Sequence, residues 1–546
     1  MVAKTTKIDF EKTGFFSKII VDYLNKDEKL EPFFNFYPEP SSFEKALKKK
    51  KYNFDRTILA DVITKQNVNA EINISQSSLK NIDLLKSSNT YTITTGHQLC
   101  LFTGPLYFIY KIITCINYAG ELKERFPAYD FVPVFWLASE DHDFEEVNHI
   151  NIFNKKIVWN PEQAVKGAVG RINTSSLGNE INELKQIMGE GENALKLNDL
   201  FDKAFLKHNN LSDALRYLVN ELFSKWGIVI IDGSDKKLKE AFKPIIKDDI
   251  LNNTAFGLIN NTIKELSNAG YRKVQMHPRE INFFYLKNNL RERIEKAEDG
   301  TYKVHDTELI FSESELINEI DNYPERFSPN VSLRPLFEEF VLPGIAYVGG
   351  GGELAYWLEL KSVFDYYKTD FPALILRNSA LWIDANSADR LKKLNLTAKD
   401  LFENSVTLIN KLVAEQSDFE LSLEDEMNEL KTIYNRISTK ALSIDVTLKA
   451  SVEADLQKNL QSLKHLENKL LKAEKQKQEI TVSQVTKLKE KLFPGNGLQE
   501  RHENFIPYYL KHGDNYLDIL KEQFKPFSES FLIIEENIYQ RQEKQS

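Results

Sequence analysis

"YTITTGHQLCLFTGPLYFIYKIITCINYAG", residues 91–120, carries the reading of the fold. A β-rich run, Tyr91 to Thr94, enters a loop, and an apolar run with helical periodicity follows from Leu106 to Ala119. Thr103 or Gly104 can cap that helix. Pro105 suits its first position, where a fixed φ fits and a missing N–H costs nothing. The unit is strand, loop, helix, with the helix expected over 105–125.

Four further runs repeat the strand signal. "FVPVFWLASE" (131–140) is almost continuously apolar, as a strand covered on both faces requires. "WGIVIIDGSD" (226–235), "GIAYVGGGGE" (344–353) and "FPALILRNS" (371–379) read the same way. Buried strands separated by helices predict an α/β chain with a parallel, doubly wound, Rossmann-like sheet. Between them, residues 151–205 are polar and mixed. Residues 266–330 alternate and turn like small antiparallel β structure. Both read as insertions.

Later the period changes. Val452, Leu456, Asn459, Leu463, Leu466, Leu470, Ala473, Lys477 and Ile480 step by four and three, and Leu423, Met427, Leu430, Tyr434, Ile437 and Ala441 do the same upstream. Asp445 can cap the second helix. Two long helices, 400–442 and 446–492, are expected to pair antiparallel as a coiled coil, ended by "FPGNG" (493–497). The expected division is 1–150 (N-terminal helices and first part of the core), 151–205 (first insertion), 206–265 (core), 266–330 (β-rich insertion), 331–399 (end of core), 400–492 (coiled coil) and 493–546 (a segment packing on the core).

Composition bounds the function. A chain of 546 residues, 42% hydrophobic and 28% charged, builds several cores. Its net charge of −9 gives no reason to expect nucleic acid as a partner, and the Lys48–Lys51 run reads as a solvated helix face. Two cysteines, Cys100 and Cys115, with no C-x-x-C, exclude a disulfide scaffold and a cysteine-rich zinc site. They fit a cytoplasmic protein. No signal-peptide pattern and no apolar window of membrane-spanning length is present, so no membrane partner is expected.

In an open parallel sheet, ligands sit beyond the carboxyl ends of the strands. Three loops there hold candidate site residues. The first carries Thr95, Gly96, His97, Gln98, Thr103 and Gly104, ahead of a helix N-terminus suited to an anion. It reads equally as a binding loop or as a capped connection. The second, "SEDHDFEEVNH" (139–149), places Glu140, Asp141, His142 and Asp143 directly after an apolar strand, with Asn148 following. Crowded acids repel and desolvate at a cost that a general base or an amine-binding site justifies. No metal is expected there. The third, "VGGGGELAYW" (348–357), holds Gly350, Gly351, Gly352, Glu353, Tyr356 and Trp357. Its glycines permit close approach, but it matches neither phosphate-loop pattern, and Glu353 suits an ammonium or a hydroxyl better than a phosphate. Arg334 and Arg377 are fixed cations for a carboxylate, or partners for the acids. Gln499 and Arg501, in "GLQERHENF", line a pocket or seat a polar cap on the core.

"TTGHQLCLFTGPLYFIYKI", "PVFWLASEDHDFEEVNHI", "SLRPLFEEFVLPGIAYVGGGGELAYWLELK" and "LFPGNGLQERHENFIPYYLKHG" together resemble the BshC family, cysteine ligases of bacillithiol biosynthesis. The likeness runs in order from about residue 90 onward. It implies the addition of cysteine to the amine of glucosaminyl-malate and use of ATP or ADP. It also implies a core like class I nucleotidyltransferases and a homodimer formed through the coiled coil. The synthetases of that class carry two nucleotide motifs; here "TTGHQ" holds one histidine and no K-M-S-K-S is present. The alternatives are a nucleotide-binding coiled-coil scaffold without catalysis and a nucleotidyltransferase acting on another substrate.

Overall fold

Five parallel strands form the centre of the computed structural model, which describes residues 4–161, 166–273 and 275–536. They are β1 (Thr90–His97), β2 (Asp130–Leu137), β3 (Val229–Asp232), β4 (Gly344–Gly349) and β5 (Ala373–Leu376), in the order β5-β4-β1-β2-β3. Read from the other edge, this is the 3-2-1-4-5 order of a doubly wound sheet, and the chain reverses direction between β1 and β4. Side chains alternate across the pleat. Val132, Val134 and Trp136 enter one apolar core, while Phe135 and Leu137 enter the core on the opposite face. Helix α1 (Tyr107–Arg125) connects β1 to β2, and α2 (Gly351–Leu358) follows β4.

The helix expected from Pro105 starts two residues later. Phe102 and Thr103 have positive φ, as does Gly104, so the chain makes a 3₁₀ turn over Leu101–Thr103 before α1 begins. Gly104 (φ 62, ψ −142) occupies a conformation open in practice to glycine alone, and a Cβ there would lie 2.6 Å from that of Cys100.

The β-rich insertion is an antiparallel sheet, with Phe283–Lys287 between Leu290–Lys296 and Phe327–Pro329. A smaller sheet brings together distant parts of the chain: Lys4–Asp9 runs antiparallel to Ser530–Glu535, which runs parallel to Ala380–Ile383.

The helical hairpin consists of α3 (Glu424–Leu442) and α4 (Leu448–Lys477). The expected helix over 400–442 is interrupted, with Ser405–Glu415 separate from α3, and the second breaks at Gln478 before Glu479–Leu492. Leu408, Leu412, Val485 and Leu488 are buried together, so the base of the hairpin belongs to a core and only α3 and α4 project. In α4 the half-buried line is Val452, Leu456, Leu460, Leu463, Glu467 and Leu471, whereas Leu466 (47% exposed) and Leu470 (38%) lie outside it. Asn459 stays polar by donating to the Tyr434 hydroxyl across the hairpin at 2.8 Å. Among the described residues no helix is long and apolar enough to cross a membrane.

Candidate active site

The carboxyl ends of β1, β2, β3 and β4 open onto one cleft of about 760 Å³. Gly96, His97 and Gln98 reach it from β1, and the 136–143 run from β2. Gly233 and Ser234 follow β3, and Gly350 to Glu353 follow β4. The β-rich insertion closes the far side with Arg279, Phe284, Arg291 and Asn330. The three loops singled out in the sequence therefore share one cleft, placed where the strand order reverses.

Glu353 anchors the floor. Its carboxylate accepts from the Gly350 N–H at 2.8 Å and from the Tyr347 hydroxyl at 2.9 Å, and pairs with Lys111 Nζ at 2.6 Å. Burial alone would raise its pKa. The Lys111 charge, the Gly350 N–H and the Lys111 hydrogen bond reverse that and hold it down at about 2. Lys111 also donates to the Gly96 carbonyl at 2.6 Å, at the last turn of β1. The carboxylate caps α2 and sets a negative charge beside the glycine loop, which disfavours a phosphate there. Free cationic edges lie elsewhere. Arg377 Nε is buried and has no hydrogen-bond partner among the described residues, although the rest of the guanidinium pairs with Glu500 at 2.7 Å and donates to Ser379 at 2.9 Å. Arg279 and Arg501 line the cleft, exposed and without an ion pair among the described residues. These groups fit the carboxylates of a small acid and the phosphates of a nucleotide alike.

His97 is buried and packs against Tyr107 and Phe108, with ring centroids 5.3 and 5.2 Å away. Burial, then the nearby Lys111 charge, lowers its pKa to about 4, so the ring is neutral near pH 7. Its Nδ1 lies 2.9 Å from the Gln98 carbonyl. His97 does not face the acids of the second loop; Gln98 makes that contact, donating to Asp141 at 3.0 Å and to Glu146 at 2.9 Å. Histidine and acids are coupled through the two ends of one residue.

The four-residue cluster is less exposed to self-repulsion than its sequence suggests. Glu140 pairs with the buried Lys239 at 2.5 Å. Burial would raise the pKa of Asp141, but hydrogen bonds from the His142 backbone N–H at 2.7 Å and from Gln98, with the charge of Arg291, hold it well below the usual carboxylate range. Arg291 Nη1 lies 2.6 Å from His142 Nδ1, and its guanidinium stacks over Phe284 at 3.9 Å. Asp141, His142 and Asp143 could each offer an atom to a metal within 4.8 Å of the others. Arg291 already supplies a cation there and engages the imidazole nitrogen.

Six expected site residues lie outside the cleft lining. Thr95 faces along the sheet and donates to the Val348 carbonyl at 2.8 Å, tying β1 to β4. Thr103 is buried in the turn, and Gly104 serves the backbone geometry described above. Asn148 donates to the Trp159 carbonyl at 3.3 Å. Trp357 is fully buried and stacks on Tyr347 at 4.3 Å, while its neighbour Tyr356 lines the cleft. Gln499 pairs with both backbone groups of Trp382, at 2.9 and 3.1 Å. Two further readings are refined. Arg334 lines the cleft but is paired with Glu338, and only Nη2 reaches Tyr356, at 3.5 Å. The aromatic run that follows "GLQERHENF" offers Tyr508 or Tyr509 for stacking a base, but Tyr508 stacks on Tyr516.

Lys111, Lys239 and Arg291 were not anticipated. Lys111 carried a signal: it is the sole charge between Leu106 and Gly120. Arg291 carried none, because only the tertiary fold brings the insertion over the sheet edge.

Two family models account for the chain. Residues 3–378 match the N-terminal Rossmann-like domain of bacillithiol biosynthesis BshC, and residues 380–536 match the C-terminal coiled-coil domain of the same family. Proteins named "Putative cysteine ligase BshC" from Flavobacterium psychrophilum and Flavobacterium johnsoniae are each 43% identical, over 97% of this chain and 99% of their own. One of that name from Salinibacter ruber is 30% identical over 94% of this chain and 95% of its own.

Proposed function

From the premise that this chain belongs to the BshC family of bacillithiol biosynthesis, we propose that its cleft is the active site of a cysteine ligase. The reaction forms an amide between the carboxyl group of cysteine and the amine of glucosaminyl-malate, with ATP as the activating co-substrate. The observation that carries this reading is the convergence of three strand-end loops on one cleft lined by both carboxylates and arginines.

The chemistry sets what the cleft must do. A carboxylate must first be activated: its oxygen attacks a phosphorus of ATP, and a P–O bond breaks to release ADP, leaving an acyl phosphate, or pyrophosphate, leaving an acyl adenylate. The amine then attacks, a C–N bond forms, the C–O bond to the activating group breaks with its electron pair, and the nitrogen loses a proton. Asp141 and Asp143 favour an ammonium or amine beside them. Arg279, Arg501 and the free edge of Arg377 suit the two carboxylates of malate or the phosphates of the nucleotide. The buried His97 is neutral and accepts a proton more readily than an imidazolium could.

We read the assembly as a homodimer through α3 and α4, because Ile433, Ile437, Leu466 and Leu470 are left exposed along the projecting hairpin.

The test is incubation of the purified protein with cysteine, glucosaminyl-malate and ATP, followed by mass spectrometry for the thiol product and for AMP or ADP. Formation of the thiol supports the reading. Nucleotide binding with no thiol under any nucleotide would favour a scaffold instead.

A further inference from the structure

Two histidines of the cleft are fixed by partners of opposite kind. The Gln98 carbonyl, 2.9 Å from His97 Nδ1, can only accept a hydrogen bond. That nitrogen must carry the proton, which leaves Nε2 with the lone pair. The Arg291 guanidinium, 2.6 Å from His142 Nδ1, can only donate. That nitrogen must hold the lone pair, which leaves the proton on Nε2. A doubly protonated His142 would set an N–H against the guanidinium N–H at that distance. Its carboxylate neighbours are farther, with Asp141 at 3.6 Å from Nδ1 and Asp143 at 3.8 Å from Nε2.

Arg291 is itself held in place. It is 6% exposed, stacks flat over Phe284, and its Nε donates to Ser328 at 3.3 Å. All three residues belong to the β-rich insertion, so the insertion determines the orientation of a side chain on the core loop.

We propose that Arg291 is a positioning residue that locks His142 as its Nε2-protonated tautomer, so that the cleft presents two neutral imidazoles of opposite polarity. His97 offers a lone pair and His142 offers a proton. In the ligase reaction, His97 Nε2 takes the proton released by the attacking amine as the C–N bond forms. His142 Nε2–H donates a hydrogen bond to the oxygen that gains charge, either the carbonyl oxygen or that of the departing phosphoryl or adenylyl group. No proton leaves His142, and His97 returns its proton to water after the product departs. The division of roles rests on the ligase reading of the cleft, but the tautomers do not.

The test is long-range ¹H–¹⁵N correlation spectroscopy on full-length protein carrying ¹⁵N-histidine at neutral pH, with His97→Gln and His142→Asn assigning the two signals. The expected result is an Nδ1-protonated pattern for His97 and an Nε2-protonated pattern for His142. Arg291→Met should leave His97 unchanged and turn His142 into a tautomer mixture. Arg291→Lys, which keeps a donor, should retain the Nε2 pattern. A charged or Nδ1-protonated His142 in the unmodified protein would overturn the proposal even if Arg291→Met failed to fold. An unchanged His142 signal in folded Arg291→Met would do the same. In the ligase assay, Arg291→Met should lower kcat about 10²-fold with little change in KM, and Arg291→Lys should recover part of it. The expected tautomers without any ligase product would reject the ligase reading and leave the positioning role of Arg291 standing.

Discussion

Lys111 Nζ and Glu353 Oε2 meet at 2.6 Å, joining the helices that follow β1 and β4, the two strands between which the strand order reverses. One belongs to the helix after β1, the other to the helix after β4, so the pair ties the two halves of the sheet together at the cleft floor. Lys111 is 3% exposed at its side chain and Glu353 28%, so Lys111→Met should leave the carboxylate with only the Gly350 N–H and the Tyr347 hydroxyl and cost about 1–3 kcal/mol. The double variant Lys111→Met/Glu353→Gln should cost less than the single. Denaturant titration of the three proteins measures this, and a double variant no more stable than Lys111→Met would reject the coupling.

Acid should destabilise the protein through the same carboxyl. Glu353 has a folded pKa of about 2 against an ordinary value of 4.5, so it is the deprotonated form that favours folding. Its stabilisation is complete above pH 4.5 and is lost as pH falls towards 2, a change of about 3 kcal/mol. Asp141, also lowered, adds to the loss with the same sign. Unfolding free energy measured from pH 6 to pH 2.5 should fall less steeply in Glu353→Gln. Parallel curves would show that the carboxyl contributes nothing.

Two glycines should separate backbone need from site need. Gly104→Ala forces a side chain into a positive-φ turn and against Cys100, and should cost at least about 1–3 kcal/mol. Gly352→Ala places its methyl where no atom lies within 4 Å, on a helical residue that lines the cleft. Its melting temperature should hold or rise, since alanine favours a helix by about 1 kcal/mol over glycine, while ligase activity falls. Full activity in Gly352→Ala would place substrate away from α2.

The hairpin carries two apolar lines with different expected roles. Leu463 belongs to the half-buried line, so Leu463→Glu should unfold the hairpin and lower helical circular dichroism. Leu466 and Leu470 lie outside that line, so Leu466→Glu/Leu470→Glu should keep the helix content and halve the mass seen by light scattering. A dimer of unchanged mass in that double variant would move the contact elsewhere.

The sheet was legible because its strands are buried on both faces and each runs into a polar or glycine-containing loop, a contrast that local sequence displays. The three loops of the cleft were legible for the same reason. What failed was direction. Tyr356 and Trp357 are adjacent in one motif, yet successive helical residues point about 100° apart, and only Tyr356 turns to the cleft. The heptad pattern likewise contains two lines one residue apart, and nothing local says which pairs inside the hairpin. Arg291 and Lys239 were invisible because their partners, His142 and Glu140, lie about a hundred residues or more away in sequence.

The pairing of Lys4–Asp9 with Ser530–Glu535 sets a timetable for synthesis. At about 5–20 residues per second, the earliest strand emerges roughly half a minute to two minutes before its partner exists. Through that interval it presents unpaired backbone edges, as does Ala380–Ile383, which pairs with the same late strand. Four of its six residues are Lys4, Thr5, Thr6 and Lys7, a polar run poorly suited to capture by other exposed edges. A ribosome stalled before residue 530 should hold a nascent chain whose sheet domain resists protease while both of these strands are still cut.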